Sequence, residues 1–220
     1  MTQNRKPILI ILAGGKSTRM GTPKGLLQYK SNYWVLEQVA AFKTGNMIMI
    51  GLGYDYQLYF DAIPWLRNAA KKPQSYKGKN VQVVINLMPK FGLFSTLQAV
   101  LKTLYSKKLD GNQTNKDVLV LPIDVPLFDE ISLKKFTAKE NTVVIPNSLQ
   151  KNGHPTKLAP KFWKQLLTIA VDSSEARLDV QIKKLPSESV SIINIVDENC
   201  IKNLNTPKSW EHFTSQYPKD

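Results

Sequence analysis

The chain has 220 residues and carries 30 Lys and Arg against 17 Asp and Glu, a formal net charge of +13. Its 42% hydrophobic content is enough for a buried core in one or two domains, and its eleven glycines and thirteen prolines, spread without period, exclude collagen-like and low-complexity chains. A lone Cys200 cannot form an internal disulfide, and one cysteine with two histidines cannot build a zinc cage from Cys and His alone, so a reducing cytoplasmic setting is expected.

In chain order, short β-branched apolar runs recur at 8–12, 47–52, 81–85, 118–121, 142–145 and 190–195, and each reads as a strand. Between them, residues 33–42, 56–70, 94–105, 131–136 and 161–171 show helical spacing. The first apolar run is far below the roughly 20 residues needed to span a bilayer. Arg5 and Lys6 before it imitate a signal peptide, but a Gly-Gly-Lys sequence follows rather than a small-residue cleavage site, so it reads as a buried strand and no membrane association is expected. The Lys-rich stretch 71–79 alternates with Pro73, Ser75 and Gly78 and reads as a solvated loop. Near the end, Thr206 and Pro207 read as the N-cap and first residue of a closing helix through Trp210 and Phe213.

Strands alternating with helix-length segments predict an α/β fold, a single Rossmann-like domain over 1–220 with a mainly parallel sheet flanked by helices. In such sheets ligands gather beyond the carboxyl ends of the strands, where strand order reverses, so the segments that directly follow strands matter most for function. The positive balance favours an anionic partner: nucleotide, phosphorylated substrate or nucleic acid. Nothing in the chain resembles a nucleic-acid recognition motif, and nucleic acid is the least expected of the three.

The first strand runs into Leu12-Ala13-Gly14-Gly15-Lys16-Ser17-Thr18-Arg19-Met20-Gly21-Thr22-Pro23-Lys24. Paired glycines let backbone N–H groups converge on an anion, Ser17 offers a further donor, and Arg19 and Lys24 add fixed positive charge suited to a triphosphate. Gly15-Lys16-Ser17 matches the end of a P-loop, but that pattern needs glycine where Ile10 stands, and the G-x-G-x-x-G fingerprint cannot be laid on Gly14, Gly15 and Gly21. A second element, Leu119-Val120-Leu121-Pro122-Ile123-Asp124-Val125-Pro126, delivers one carboxylate to the end of a buried strand. Mg²⁺ is a hard cation often held by one or two carboxylates plus substrate phosphates, so Asp124 is the candidate ligand, with a turn or N-cap role as the alternative.

With these residues in hand, the chain resembles the molybdenum cofactor guanylyltransferases, whose opening L-A-G-G-x-S-x-R-M-G-x-x-K is met at every fixed position between Leu12 and Lys24. The resemblance implies a fold of the nucleotide-diphospho-sugar transferase type and transfer of GMP from GTP to a molybdopterin-type phosphate, with release of pyrophosphate. It also implies Mg²⁺ on Asp124, and molybdoenzyme maturation proteins as partners. Leu12, Ala13, Gly14, Gly15, Ser17, Arg19, Lys24, Asn86 and Asp124 are then the nucleotide side, with Arg19, Lys24 and Asp124 catalytic. His154, Pro155 and Thr156, from a Gly-His-Pro-Thr segment, together with Arg177, where the family has basic residues ahead of its closing N-x-N-T-P, and Asn205 within that closing segment, are the acceptor side. His154 can also be an ordinary turn or core histidine, and Asn205 with Thr206 a simple cap.

The chain departs from the family pattern at Gly51, where an Asn is usual, at Asn86, where an acidic residue is usual, and at 91–95, where a Gly-Pro-Leu-Ala-Gly turn is usual. Gly14-Gly15 favours GTP, whereas Thr22-Pro23-Lys24 has the character of the cytidylyl branch. A cytidylyltransferase, a transferase acting on a sugar phosphate or other phosphorylated acceptor, and a non-catalytic nucleotide-binding module are the alternatives.

Overall fold

Residues Ile8–Ala13, all apolar and all buried, form strand β1 at the centre of the molecule. A strand covered on both faces has no polar side to show, which is why this run lacks the alternation of a surface strand. The computed structural model describes residues 6–106 and 113–216. After β1 the chain forms a small hairpin, β2 (Gln28–Tyr29) and β3 (Asn32–Tyr33), then α1 (Trp34–Ala41), β4 (Met47–Leu52), α2 (Tyr56–Ala62) and α3 (Trp65–Ala69). Next come β5 (Gln74–Tyr76), β6 (Lys79–Ile85), α4 (Gly92–Ser106), β7 (Val118–Pro122), α5 (Glu130–Ala138) and β8 (Val143–Ser148). The chain closes through β9 (Lys151–Asn152), β10 (Thr156–Leu158), α6 (Pro160–Gln165), α7 (Leu178–Lys183), β11 (Val190–Asn194) and α8 (Pro207–Ser215).

The main sheet has the order β11-β8-β10-β7-β1-β4-β6-β5, with β9 paired to β8. β4, β6 and β7 run parallel to β1 or to its neighbour, β11 runs parallel to β8, and β10 lies antiparallel between β7 and β8. From β1 the chain steps outward to β4 and β6 on one side, then returns to place β7 on the other. The reversal falls at β1 and β7, so the loops leaving these two strands flank the crevice expected to hold ligand. Alternate residues of β1 feed two cores: Leu9 and Ile11 join α1, α2, α3 and α8, while Ile8, Ile10 and Leu12 join α4 and α6.

Two expectations are corrected. Residues 71–79 are not a plain loop, because Gln74–Tyr76 pairs antiparallel with β6 through a turn in which Lys77 and Gly78 both take the left-handed conformation, at φ 45 and 72. Two positive φ values are what a tight hairpin turn requires, and Lys-Gly supplies only one residue that favours them, so the signal was weak. The helix expected over 56–70 breaks into α2 and α3 at Ile63-Pro64, since proline cannot continue a hydrogen-bonded turn. The strand β10 and helix α7, both short, had not been anticipated. The closing helix is as expected, with Thr206 and Ser209 forming a reciprocal capping box ahead of it. No helix among the described residues is long and apolar enough to cross a membrane.

Candidate active site

The loop after β1 lies open at the carboxyl edge of the sheet. Leu12 and Ala13 are buried strand residues, Gly14 is buried, and Gly15, Thr18 and Arg19 are exposed. The paired glycines are needed for different reasons. A Cβ on Gly14 would stand 2.5 Å from Thr96 Oγ1, whereas one on Gly15 would meet nothing within 4 Å. Gly14 is therefore fixed by packing against α4, whereas the Cα of the exposed Gly15 faces open space. Ser17 takes a left-handed backbone, φ 51, and its Oγ accepts from the Lys24 amide at 3.2 Å, which leaves the hydroxyl hydrogen free to donate. Lys16 lies over the Tyr54 ring, 4.7 Å from its centroid.

Lys24, Asp124 and Asn205 come from three distant segments and meet. Lys24 Nζ donates to Asp124 Oδ2 at 3.0 Å and to Asn205 Oδ1, with the lysine and aspartate side chains 15% and 19% exposed. Asn205 in turn donates to Asn203, and the Leu204 amide donates to the Asp124 carbonyl at 2.8 Å, so the closing segment is laced onto the end of β7. Two hard oxygens thus converge on one cation position, now filled by an ammonium. That donor chemistry fits a Mg²⁺-like ion, for which Asp124 and Asn205 would be the protein ligands and phosphate or water the rest. Among the described residues no cluster of three or more His, Cys, Asp or Glu side chains forms a self-sufficient metal cage.

The loop that carries Asp124 is held from behind by α1. Trp34 Nε1 donates to the Ile123 carbonyl at 2.7 Å. Gln38 Nε2 donates to the Val125 carbonyl at 2.9 Å while its Oε1 accepts from the Leu127 amide at 3.0 Å. Both side chains are buried, and they stand four residues apart, on one face of the helix, so one rigid element grips the backbone on either side of Asp124. At the end of the glycine loop the buried Tyr59 hydroxyl accepts from the Gly25 amide at 3.2 Å, and burial pushes its phenol well above the usual range. None of Trp34, Gln38 or Tyr59 was a sequence candidate. A glutamine within an apolar helical face is the one signal that could have flagged the grip.

Two of the departures, Gly51 and Asn86, meet at Thr96 in a single packed locus, and Ser95 of the altered 91–95 turn joins them. The Thr96 methyl would stand 2.7 Å from a Cβ on Gly51. Asn86 Nδ2 donates to Thr96 Oγ1 at 3.0 Å and to Ser95 Oγ at 2.8 Å, and its Oδ1 accepts from the Met88 amide at 2.9 Å. Expected to touch nucleotide, Asn86 is only 5% exposed and its amide is engaged at both ends in shaping the turn into α4.

A cavity of about 590 Å³ opens at the same carboxyl edge, on the α4 face of the sheet. Leu12, His154, Thr156 and Arg177 all line it, so three of the acceptor-side candidates share one space. Pro155 is buried behind a cis His154-Pro155 bond, and Asn205 lies with Lys24 and Asp124 rather than in the cavity wall. Burial drives the His154 imidazole below its ordinary pKa, opposed by the charge of Asp124, and its buried Nδ1 has no partner. Arg177 is already paired, with its guanidinium on Asp179 at 3.1 and 2.9 Å.

The sequence profile of the MobA-like NTP transferase domain matches residues 9–185. The chain belongs to this family. Among solved structures, this transferase chain resembles molybdopterin-guanine dinucleotide biosynthesis protein A from Archaeoglobus fulgidus, at TM-score 0.63 and 15% identity over 95% of this chain and 97% of that one. It also resembles 2-C-methyl-D-erythritol 4-phosphate cytidylyltransferase from Thermus thermophilus, at TM-score 0.62 and 12% identity over 96% and 98%. A third likeness is Rv0371c from Mycobacterium tuberculosis, solved as a manganese complex, at TM-score 0.61 and 14% identity over 96% and 98%. At these identities the likeness is one of fold. No curated protein matches the transferase sequence significantly.

Proposed function

We propose that the protein transfers the nucleoside monophosphate of GTP to the phosphate of a molybdopterin-type acceptor, releasing pyrophosphate with the help of Mg²⁺. The observation that carries this reading is the convergence of Lys24, Asp124 and Asn205 beside an open glycine loop at the point where strand order reverses. In this reading the Gly14 and Gly15 amides and the Ser17 hydroxyl hold the triphosphate tail, and Arg19 and Lys24 neutralise the charge that grows on the departing pyrophosphate. Mg²⁺ on Asp124 and Asn205 would supply a further positive charge to the phosphate oxygens. An acceptor phosphate oxygen attacks the α-phosphorus in line, the bond to the β-phosphate oxygen breaks, and no protein nucleophile is needed.

The test is pyrophosphate release with GTP, CTP, ATP and UTP in Mg²⁺, with molybdopterin and phosphorylated sugars as acceptors. GTP with molybdopterin is expected to give the fastest turnover. Lys24→Ala and Asp124→Asn are each expected to cost about a hundredfold or more in rate while the fold is kept, the usual effect of removing one well-aimed electrostatic group. Wild-type turnover in either variant removes its assigned role, and turnover with CTP alone moves the protein to the cytidylyl branch.

A further inference from the structure

The contacts that Lys24 makes and the two roles assigned around it cannot hold at the same moment. Lys24 Nζ lies 3.0 Å from Asp124 Oδ2 and also donates to Asn205 Oδ1, the two oxygens suited to a divalent ion. An ion of the Mg²⁺ class sits about 2.1 Å from each oxygen ligand, so one bridging this pair would overlap the ammonium. The conflict is also one of like charges, between side chains largely shielded from water. In the nucleotide-free protein the ammonium therefore stands in for the ion and neutralises Asp124.

Only the Lys24 side chain has to move for this to change. Its own amide donates to Ser17 Oγ at 3.2 Å, the Gly25 amide to the buried Tyr59 hydroxyl at 3.2 Å, and the Leu27 amide to the Lys24 carbonyl at 3.2 Å, so the backbone is fastened on both sides. The four-carbon stem of a lysine swings about such a root, and its three rotatable donors suit phosphate oxygens. A triphosphate on the glycine loop brings several such oxygens to the loop that roots Lys24. We infer that Lys24 gates the metal site: it excludes a divalent ion from Asp124 and Asn205 until the triphosphate draws its ammonium away, so that nucleotide binding and metal loading are coupled. The inference rests on the nucleotidyl-transfer reading for the place of the triphosphate, whereas the exclusion of the ion follows from the contacts of Lys24 alone. A lysine that merely added charge to the loop would act on the ion no more than Arg19 does, which is exposed in the same loop.

The test is the binding of Mn²⁺ alone, with no nucleotide present, followed by the loss of the free ion's EPR signal. Lys24→Met is expected to bind Mn²⁺ about tenfold more tightly than wild type, the scale of a typical coupling between sites, and Arg19→Met to stay within about twofold of wild type. Lys24→Gln is measured beside them with the same gain expected, and it carries the test if thermal melts show that methionine disturbs the fold. Adding Asp124→Asn to either Lys24 variant should abolish the gain. Equal Mn²⁺ affinity in wild type and the Lys24 variants, an equal gain in Arg19→Met, or a gain that survives Asp124→Asn overturns the inference. The expected gain together with no pyrophosphate release from any nucleotide and acceptor keeps the gate and refutes nucleotidyl transfer instead. Pyrophosphate release by wild type with no gain in the Lys24 variants refutes the gate and leaves the transfer standing.

Discussion

Replacing Gln38 by leucine removes the two-sided grip on the loop that carries Asp124 at almost constant side-chain volume. The Gln38 amide both donates to the Val125 carbonyl at 2.9 Å and accepts from the Leu127 amide at 3.0 Å, and it is only 2% exposed. Val125 and Leu127 are also buried, so water cannot take over either bond. A buried polar group left unpaired costs about 1–3 kcal/mol, which for two groups makes about 2–6 kcal/mol. In a chain of this size each kcal/mol moves the melting midpoint by about 2–4 °C, so Gln38→Leu is expected to melt roughly 4–24 °C below wild type. Asp124 lies between the two gripped carbonyls of Ile123 and Val125, so the variant is also expected to need about tenfold more Mg²⁺ for half-maximal activity, the usual effect of losing a group that orients a metal ligand. The KM for nucleotide should stay within about twofold, because the glycine loop is untouched. Thermal melts and a Mg²⁺ titration of pyrophosphate release read both effects. A variant that melts within a degree of wild type and titrates with Mg²⁺ as wild type does would refute the idea that α1 holds the metal loop.

Other substitutions probe the frame around the site. Tyr59→Phe leaves the buried Gly25 amide without its acceptor and is expected to lower stability by about 1–3 kcal/mol in urea melts, with an unchanged midpoint counting against the contact. Asp129 caps α5 by accepting from the Ser132 amide at 2.9 Å, so Asp129→Ala should cost about 1 kcal/mol at neutral pH. The hydrogen bonds from Ser132 depress this carboxyl, so the cap's contribution is present above the ordinary carboxylate range and fades as pH falls through the depressed value; a variant deficit that persists at pH 2 would contradict it. The Cys200 thiol is pushed up to about 11 by burial and by the charge of Asp197. It should resist alkylation at pH 8 in the native protein and react promptly in denaturant, and fast native labelling would be inconsistent with its burial. Its neutral form favours the folded state fully below pH 9, and that contribution is lost as pH rises toward about 11.

The central strands and the glycine loop that follows the first of them were legible in sequence because their causes are local. Ile8–Ala13 and Met47–Leu52 are continuous apolar runs that only a doubly covered sheet can bury, and glycine pairing next to a strand has few other uses. Thr206 and Pro207 announced α8 for the same reason, since a cap acts on its own first turn. Local signals failed where the deciding partner is far away in sequence. Thr156–Leu158 is a strand because β7 and β8 leave a gap between them that three residues can fill, and nothing in those three residues states it.

The residue types of the site were also present in the sequence: a lysine, a carboxylate, an amide and a pair of glycines, each directly after an apolar run or before a helix. Tertiary structure alone decided that Lys24 meets Asp124 and Asn205, that the Asn86 amide is turned into a brace for α4, and that His154, Thr156 and Arg177 line one cavity. These are contacts between segments up to 181 residues apart. Composition and periodicity report what a residue needs from its neighbours along the chain, while the partner that meets that need across space is chosen by the order in which the strands enter the sheet.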